Sequence, residues 1–461
     1  MDRRFELHKK ELLADCDVQS NGFDGMVQRL ERFAKPFLTS LPSPASKGHG
    51  HTYLSGLLSD VARKNTESIA YRHDVDRQVL QRFIGYQDWD HEPLLEELTR
   101  QVATDIGEAN AVIVFDPSGF PKHGSESVGV QRQWCGRLGK TDNCQVGIYM
   151  GYVTGREQVL VDQRLYLSRE WIADKKRRQK CGVPAEVRHQ TRHELALEML
   201  DQRASLLPHA WIAGDDEMGR PGWFREKLQE IGERYLLAVP SNTTIRDLEV
   251  VVPPPTRTGP GRGEQCGLRK APFQQMHAWC EALPMGAWTR LTIRDADKGP
   301  LEAEVVARRV ESKINRRAVG FEEVLFVLRQ RTPSGAWKYD YHLSNAPAET
   351  PLAEFARVAN AEHRIEQCLQ RGKSEAGLAD YQTRSWAGWH HHQTLSLLAV
   401  WFLVQETQRG KKTHTGVDGA AGPRSVGTDA TPRLPVRHTR TDRPGANPAT
   451  ATERDGQVLS L

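Results

Sequence analysis

Three acidic residues carry the chemistry this chain can do. Asp116 follows the apolar run Ala111-Val-Ile-Val-Phe115 and precedes Pro117; Asp215 follows Trp211-Ile-Ala-Gly214; Glu366 lies in a segment whose apolar residues, Phe355, Val358, Ile365 and Leu369, recur at helical spacing. The two apolar runs read as buried strands, the first stopping at a turn. Functional residues in open α/β sheets collect at the carboxyl ends of strands. A lone carboxylate there costs several kcal/mol or so to desolvate. Two or three converging carboxylates make sense around Mg2+ (or Mn2+), which prefers oxygen ligands. Two such ions about 4 Å apart can activate a water or a 3′-hydroxyl and stabilise the leaving oxygen. Plainer readings stay open at this point. Asp116 could be a turn residue, Asp215 a helix cap, and Glu366 a solvated helix residue beside Glu362 and Glu375.

The elements that must position these residues follow from the patterning. From about residue 96 the texture is mixed α/β. Strands are expected at 111–115, 146–153 and 159–167, a helix at 193–207, a strand at 211–213, a helix at 224–234 and a strand at 235–239. A meander followed by alternating strands and helices is the order of an RNase H-like mixed sheet. Residues 1–95 read as a helical N-terminal domain, with Leu54, Leu57, Leu58 and Val61, then Val79, Leu80, Phe83 and Ile84, at helical spacing; a compact DNA-binding domain fits, and so does a plain helical scaffold. Residues 253–272 are rich in Pro, Gly and Arg, and the strand-like segments after them make 241–345 a β-rich insertion. Residues 346–409 return to helix and complete the catalytic core begun at 96–240. Residues 410–461 contain no Phe, Trp, Tyr, Ile, Met or Cys. Such a tail cannot offset its ordering entropy, so disorder is expected; a frameshift would explain it.

Composition is that of an ordinary globular chain: 461 residues, 38% hydrophobic, 26% charged, net charge +4. The mild excess of cations neither requires nor excludes a nucleic-acid partner. Seven cysteines occur without any C-x-x-C pair, which argues against a zinc ribbon or disulfide framework. The start has no apolar leader region and no stretch of 18 apolar residues appears, so a cytoplasmic, nucleoid-associated protein with no membrane contact is expected.

The surroundings of the acids resemble the catalytic blocks of DDE transposases encoded by bacterial insertion sequences. Residues 115–153 are similar to the first block, with Asp116, Lys122, Gly124, Ser127 to Val130 and Asp142 to Gln145. Residues 211–240 resemble the second, with Asp215 and Gly219. Residues 364–399 resemble the last, with Glu366, Lys373, Gly377-Leu378, Tyr381 and Arg384. The blocks stand in the family's order and span nearly everything but the tail. The resemblance implies that Asp116, Asp215 and Glu366 hold two divalent ions and that Lys122, Lys373 and Arg364 help position DNA phosphates. It implies double-stranded DNA partners, transposon ends and target, and a homodimer once ends are paired. Members that open flanking DNA through a hairpin often carry Tyr and Arg seven and four residues before the Glu; here Ala359 and Glu362 stand there.

Further contacts suggest themselves. Lys175, Lys176, Arg177 and Arg178, with Lys180, fall on a connection after the third strand and read as a phosphate grip. Arg257, Arg262, Arg269 and Lys270 form a second basic group. His390-His391-His392 cannot all ligate one ion, because helical neighbours point about 100° apart; a solvated or DNA-facing role is expected. Trp134, Trp386 and Trp389 are candidates to stack a displaced base, although a packed tryptophan is the favoured reading of each. The expected function is cut-and-paste transposition: metal-dependent cleavage at terminal inverted repeats and strand transfer into target DNA. The alternatives are an RNase H-like nuclease that only hydrolyses and a defective, DNA-binding derivative.

Overall fold

The computed structural model describes residues 25–250, 270–294, 301–313, 319–332 and 334–414. Five helices lead: α1 (Met26–Leu38), α2 (Pro44–Leu57), α3 (Thr66–Arg72), α4 (Arg77–Gly85) and α5 (Glu92–Ile106). Their starts are set locally. The side chains of Ser43, Asn65 and Asp76 accept hydrogen bonds from the first-turn amides of α2, α3 and α4, satisfying donors that have no partner within the helix. Their buried stripes, such as Leu30, Phe33, Ala34 and Phe37 of α1, meet the last helix, α13 (Trp386–His414). Phe33 packs on Phe402 at 5.2 Å, and Arg29 clamps Glu406 with two hydrogen bonds of 2.6 and 2.7 Å. The leading helices, α13 and the sheet share one continuous apolar core.

That sheet is mixed. It begins with β1 (Val112–Pro121), β2 (Gln131–Cys135), β3 (Lys140–Val153) and β4 (Gln158–Leu165), and continues with β5 (Trp211–Gly214) and β6 (Tyr235–Ala238). β1 pairs antiparallel with β3 and parallel with β5, which pairs parallel with β6; β3 also carries β2 and β4. Meander, then parallel pairing, is the RNase H-like order that the patterning predicts. Between strands lie α6 (Arg169–Ala173), α7 (Lys175–Cys181), α8 (Arg192–Arg203), α9 (Asp216–Gly219) and α10 (Gly222–Glu230).

Two features differ from expectation. β1 does not stop at Asp116: pairing with β3 continues through Pro117 to Pro121. Beyond Phe115 the β5 side of β1 is vacant, where a proline is tolerated. β2 is a strand with no apolar alternation, Gln-Arg-Gln-Trp-Cys, and periodicity gave no sign of it.

The insertion holds β7 (Thr244–Asp247), β8 (Gln274–Gln275), α11 (Met276–Glu281), β9 (Thr289–Arg294), β10 (Leu301–Lys313), β11 (Val319–Arg331) and β12 (Trp337–Ser344). It has its own apolar cluster around Met276, Trp279, Val310 and Leu325, yet β12 pairs with β6, so one sheet of twelve described strands runs through core and insertion. The helix α12 (Leu352–Glu375) returns across the core. α13 runs to His414, past the expected helical limit at 409. The tail after 414, and Arg257, Arg262 and Arg269, lie outside the described residues.

Candidate active site

β1 and β5 create the site. Phe115 is register partner to Gly214, the last residue of β5. Asp116 and Asp215 come next on two adjacent parallel strands, which run about 4.8 Å apart. Asp215 also caps α9, accepting a 3.0 Å hydrogen bond from the Met218 amide, so the cap reading and the site reading both apply. The turn is tight at Gly219, where an added Cβ would lie 1.9 Å from the Ala238 carbonyl oxygen; only glycine lets this turn close on β6.

α12 lays its acidic face over the strand ends. It approaches β3 closely at Gly151, where a Cβ would fall 2.2 Å from the end of Ile365. Glu366 is part of this face but half in solvent, its side chain 63% exposed, and it pairs with His363 at 3.6 Å. Hydrogen bonding to His363 holds its carboxyl below the usual range. Glu362, one turn earlier, is largely buried with an edge open to solvent like the two aspartates: burial, then Asp215 and Asp116, push its carboxyl well above the usual range. It is the acid that sequence reasoning passed over, although four-residue spacing puts it on the same helical face as Glu366.

The aspartates are perturbed in the same sense. Burial, then the charges of Asp215 and Glu366, raise Asp116 to about 8. Burial and the neighbouring Glu217 and Asp216 raise Asp215 to about 7 against the Met218 amide. Both keep an edge open to solvent, which moderates the effect. Among the described residues no three His, Cys, Asp or Glu side chains already converge at ion-binding distance.

Lys373 donates a 2.6 Å hydrogen bond to Ser118, two residues beyond Asp116, and its charge lowers Asp116. Lys122 is committed elsewhere. Its ammonium donates to the Tyr381 carbonyl at 3.0 Å and sits 3.4 Å over the Tyr381 ring, and burial lowers it to about 7. A lysine depressed when folded is destabilising below that value, and the penalty fades as pH rises toward the unfolded value. Lys122→Met is therefore expected to melt above the parent at pH 6 and to lose that advantage by pH 10, as thermal melts at the two pH values will show.

Other expected contacts need correction. Arg364 turns back to the β3–β4 hairpin, donating to the Thr154 carbonyl and to Gln158 at 2.7 and 3.2 Å. Residues 175–181 form the helix α7 rather than an open connection. Arg177 donates to the carbonyls of Ser125 and Val130, and Arg178 to those of Pro184, Ala185 and Val187. These two arginines hold backbone in place, while Lys175 and Lys176 stay exposed. Lys270 pairs with Glu311 at 2.8 Å.

The three histidines are not solvated. His390, His391 and His392 are buried in α13, and burial pushes all three below the usual imidazole range. His392 lies between Tyr53 and the Gly377 carbonyl; His391 stacks on Trp89 at 3.7 Å. Leading helices on one side and the sheet on the other leave α13 no polar face. Trp389 is core, its indole N–H donating to Tyr381, and Trp386 packs on His390. Trp134 is open.

The model of a family described as DDE superfamily endonuclease matches residues 36–300, more than half of the chain. The chain belongs to that family. The match contains Asp116 and Asp215 and ends before α12. A relative from Microchaete diplosiphon, the probable transposase for insertion sequence element IS701, is 28% identical over 191 residues, 41% of this chain and 47% of the relative. The chain thus spans about half the length of that curated relative. A solved structure of piggyBac transposase in a synaptic complex with hairpin DNA superposes on 87% of this chain and 76% of its own, with 10% identity and a TM-score of 0.39. Among the described residues no helix is long and apolar enough to cross a membrane.

Proposed function

We propose that this family member is a transposase that cleaves DNA at the terminal inverted repeats of its own element and joins the freed ends to target DNA. The observation that carries the reading is the pair Asp116 and Asp215, side by side where the parallel pairing of β1 with β5 stops, beneath an acidic helix face. The donors there are all carboxylate oxygens, and two of the carboxyls are raised, both chiefly by burial, Asp116 also by Asp215 and Asp215 by Glu217 and Asp216. This is a deficit of positive charge that suits Mg2+ or Mn2+, and a pair of such ions is proposed. Asp116, Asp215 and Glu366 would hold them; bound there, the ions would supply Lewis-acid activation of the attacking oxygen and neutralise the leaving one.

The chain's own residues do the rest. The register of β1 and β5 sets the two aspartates together. Lys373, braced by Ser118, supplies fixed positive charge beside Asp116 for a DNA phosphate. The same displacement serves twice. A water oxygen bonds to phosphorus as the 3′-oxygen leaves and takes up a proton. That 3′-hydroxyl then bonds to a target phosphorus as the target's own 3′-oxygen leaves. One P–O bond forms for each one broken, so no energy source is needed. Pairing two ends calls for two copies of the chain, with the leading helices proposed to bind the repeats.

The test is nicking and strand transfer on duplexes carrying the repeats that flank the reading frame. Mg2+-dependent products, lost by 100-fold or so in Asp116→Ala, are expected. DNA bound but uncut by the parent would favour a binding derivative, and nicking without joined product would favour a hydrolytic nuclease. Glu362 is less exposed than Glu366 and feels both aspartates, which supports a second assignment for the third acid. If Glu362→Gln removes cleavage while Glu366→Gln spares it, Glu362 takes the role given to Glu366.

A further inference from the structure

The β2–β3 hairpin extends the active-site face of the sheet. Opposed residues of an antiparallel pair project on the same face, and every second residue along a strand shares it. Asp116 opposes Tyr149 of β3, while Arg132 and Trp134 of β2 oppose Asn143 and Thr141 of the same strand. Residues 141, 143 and 149 have the same parity, so Arg132 and Trp134 lie on the face that carries Asp116. From Tyr149 to Thr141 is eight residues, about 27 Å at 3.4 Å per residue. That is the length of about eight base pairs of duplex.

The character of this stretch changes along its length. Near Asp116 the face is covered by α12 and α13, with Tyr149 donating to Gln393 and Gln145 accepting from Tyr381. Past Asn143 the cover ends. Trp134 is 55% exposed, and its indole takes no hydrogen bond or ring contact among the described residues. Arg132 beside it is exposed. Between the ends, Asn143 lines a cleft of about 420 Å3 with Ser125, Gln131, Arg177 and Lys180. The nearby acids are already matched, Glu126 by Lys180 and Asp142 by Lys140. Arg132, Arg177 and the exposed Arg384 are left as a local excess of cations on neutral surroundings.

We propose that this hairpin is a second contact for duplex DNA, about eight base pairs from the phosphate at Asp116, with Arg132 on a backbone phosphate and Trp134 packed against the sugar edge of the strand. The inference rests on the DNA-cleaving reading and adds where the duplex runs. An exposed tryptophan paired with arginine, in line with the catalytic aspartate and beyond the covering helices, fits a polyanion with an apolar sugar face better than it fits solvent.

The experiment is hydroxyl-radical footprinting and affinity measurement of the full chain on a duplex of about 40 base pairs ending in the flanking terminal repeat. The unsubstituted chain is expected to protect the end and a second patch about eight base pairs in. Trp134→Ala is expected to lose the second patch and bind roughly tenfold more weakly, with Trp134→Phe restoring most of both. Arg132→Ala is expected to reduce the slope of log affinity against log salt by about 0.9. Unchanged footprints and affinities in the Ala variants, with the parent still protecting the end, overturn the hairpin contact and leave the cleavage reading standing. No protection by the parent overturns both. A stable dimer without DNA that Trp134→Ala dissociates overturns the contact in favour of a second copy of the chain. Both residues are surface positions, and equal melting temperatures confirm that the variants fold.

Discussion

Asp116→Asn is expected to melt above the parent chain in metal-free buffer, by a margin that grows from pH 5 to pH 9. Asp116 and Asp215 are raised to about 8 and about 7, above the ordinary carboxylate value near 3.9. Both therefore bind protons more tightly folded than unfolded. The stability they contribute is complete in acid and is lost as pH climbs through those values. At pH 5 the Asp116 carboxyl is neutral, and an amide replaces it at little cost. At pH 9 the parent holds ionised carboxylates against one another, and the amide does not. Each tenfold change in proton affinity is worth roughly 1.4 kcal/mol, and the solvent-open edges reduce the full sum, so a margin of about 2–4 kcal/mol is expected at pH 9. That is several degrees in melting temperature. Taking the difference between parent and variant cancels the buried histidines and Lys122, which titrate alike in both. Millimolar Mg2+ should reverse the order at neutral pH, raising the parent by its binding free energy and leaving the variant nearly unmoved. A margin that stays flat across this pH range would mean that burial and the neighbouring carboxylates do not raise Asp116. A parent indifferent to Mg2+ and Mn2+ would remove the metal reading.

Arg225→Met is expected to cost about 3–5 kcal/mol, or roughly three to five degrees in a chain of this length, a larger effect on folding than that of Asp116→Asn. Arg225 of α10 and Glu323 of β11 are 2% and 0% exposed and pair at 2.8 Å. Tyr235 of β6 donates to the same carboxylate at 2.7 Å, and Ser312 of β10 donates to its other oxygen. The network ties the insertion to the catalytic core. Removing the guanidinium leaves Glu323 charged and enclosed, which costs far more than the pair contributes when intact. Arg225→Met combined with Glu323→Gln should recover at least half of the loss, since the amide keeps the Tyr235 acceptor and buries no charge. Equal losses in the single and double variants, measured by denaturant melts, would show that packing rather than charge sets the cost. Arg225 also donates to the Gly219 carbonyl, at the turn that Asp215 begins. Cleavage by Arg225→Met is thus expected to fall even at temperatures where the variant is folded, because the cap that orients Asp215 loses its brace.

Much of this molecule is legible without coordinates. The buried strands β1, β5 and β6 are written as short apolar runs because both of their faces are covered. The two aspartates are written as the residues that end the apolar runs, and α12 as a helical period carrying Glu366 and Lys373. Local signals of this kind depend only on burial period and chain direction. The polar edge strand β2 was not legible, because only Cys135 of its five residues is buried, so it needs no apolar code. Nor was the fate of the cations. Arg364, Arg177 and Arg178 look like DNA ligands in a string of letters, yet each finds a backbone carbonyl that only folding brings near. The histidines of α13 look solvent-facing until helices and sheet close on both sides.

Sequence alone determined the order of the elements, the acids that follow the apolar runs of β1 and β5, and the family resemblance of the three blocks. Tertiary structure decided which charges meet. The register of β1 on β5 joined Asp116 to Asp215, and the close pass of α12 over Gly151 turned Glu362 toward them and left Glu366 at the rim. The reason is physical: a carboxyl's proton affinity is set by the charges and solvent within a few ångströms of it, and those come from residues far away in the chain. The same register carries the face of Asp116 out to Trp134.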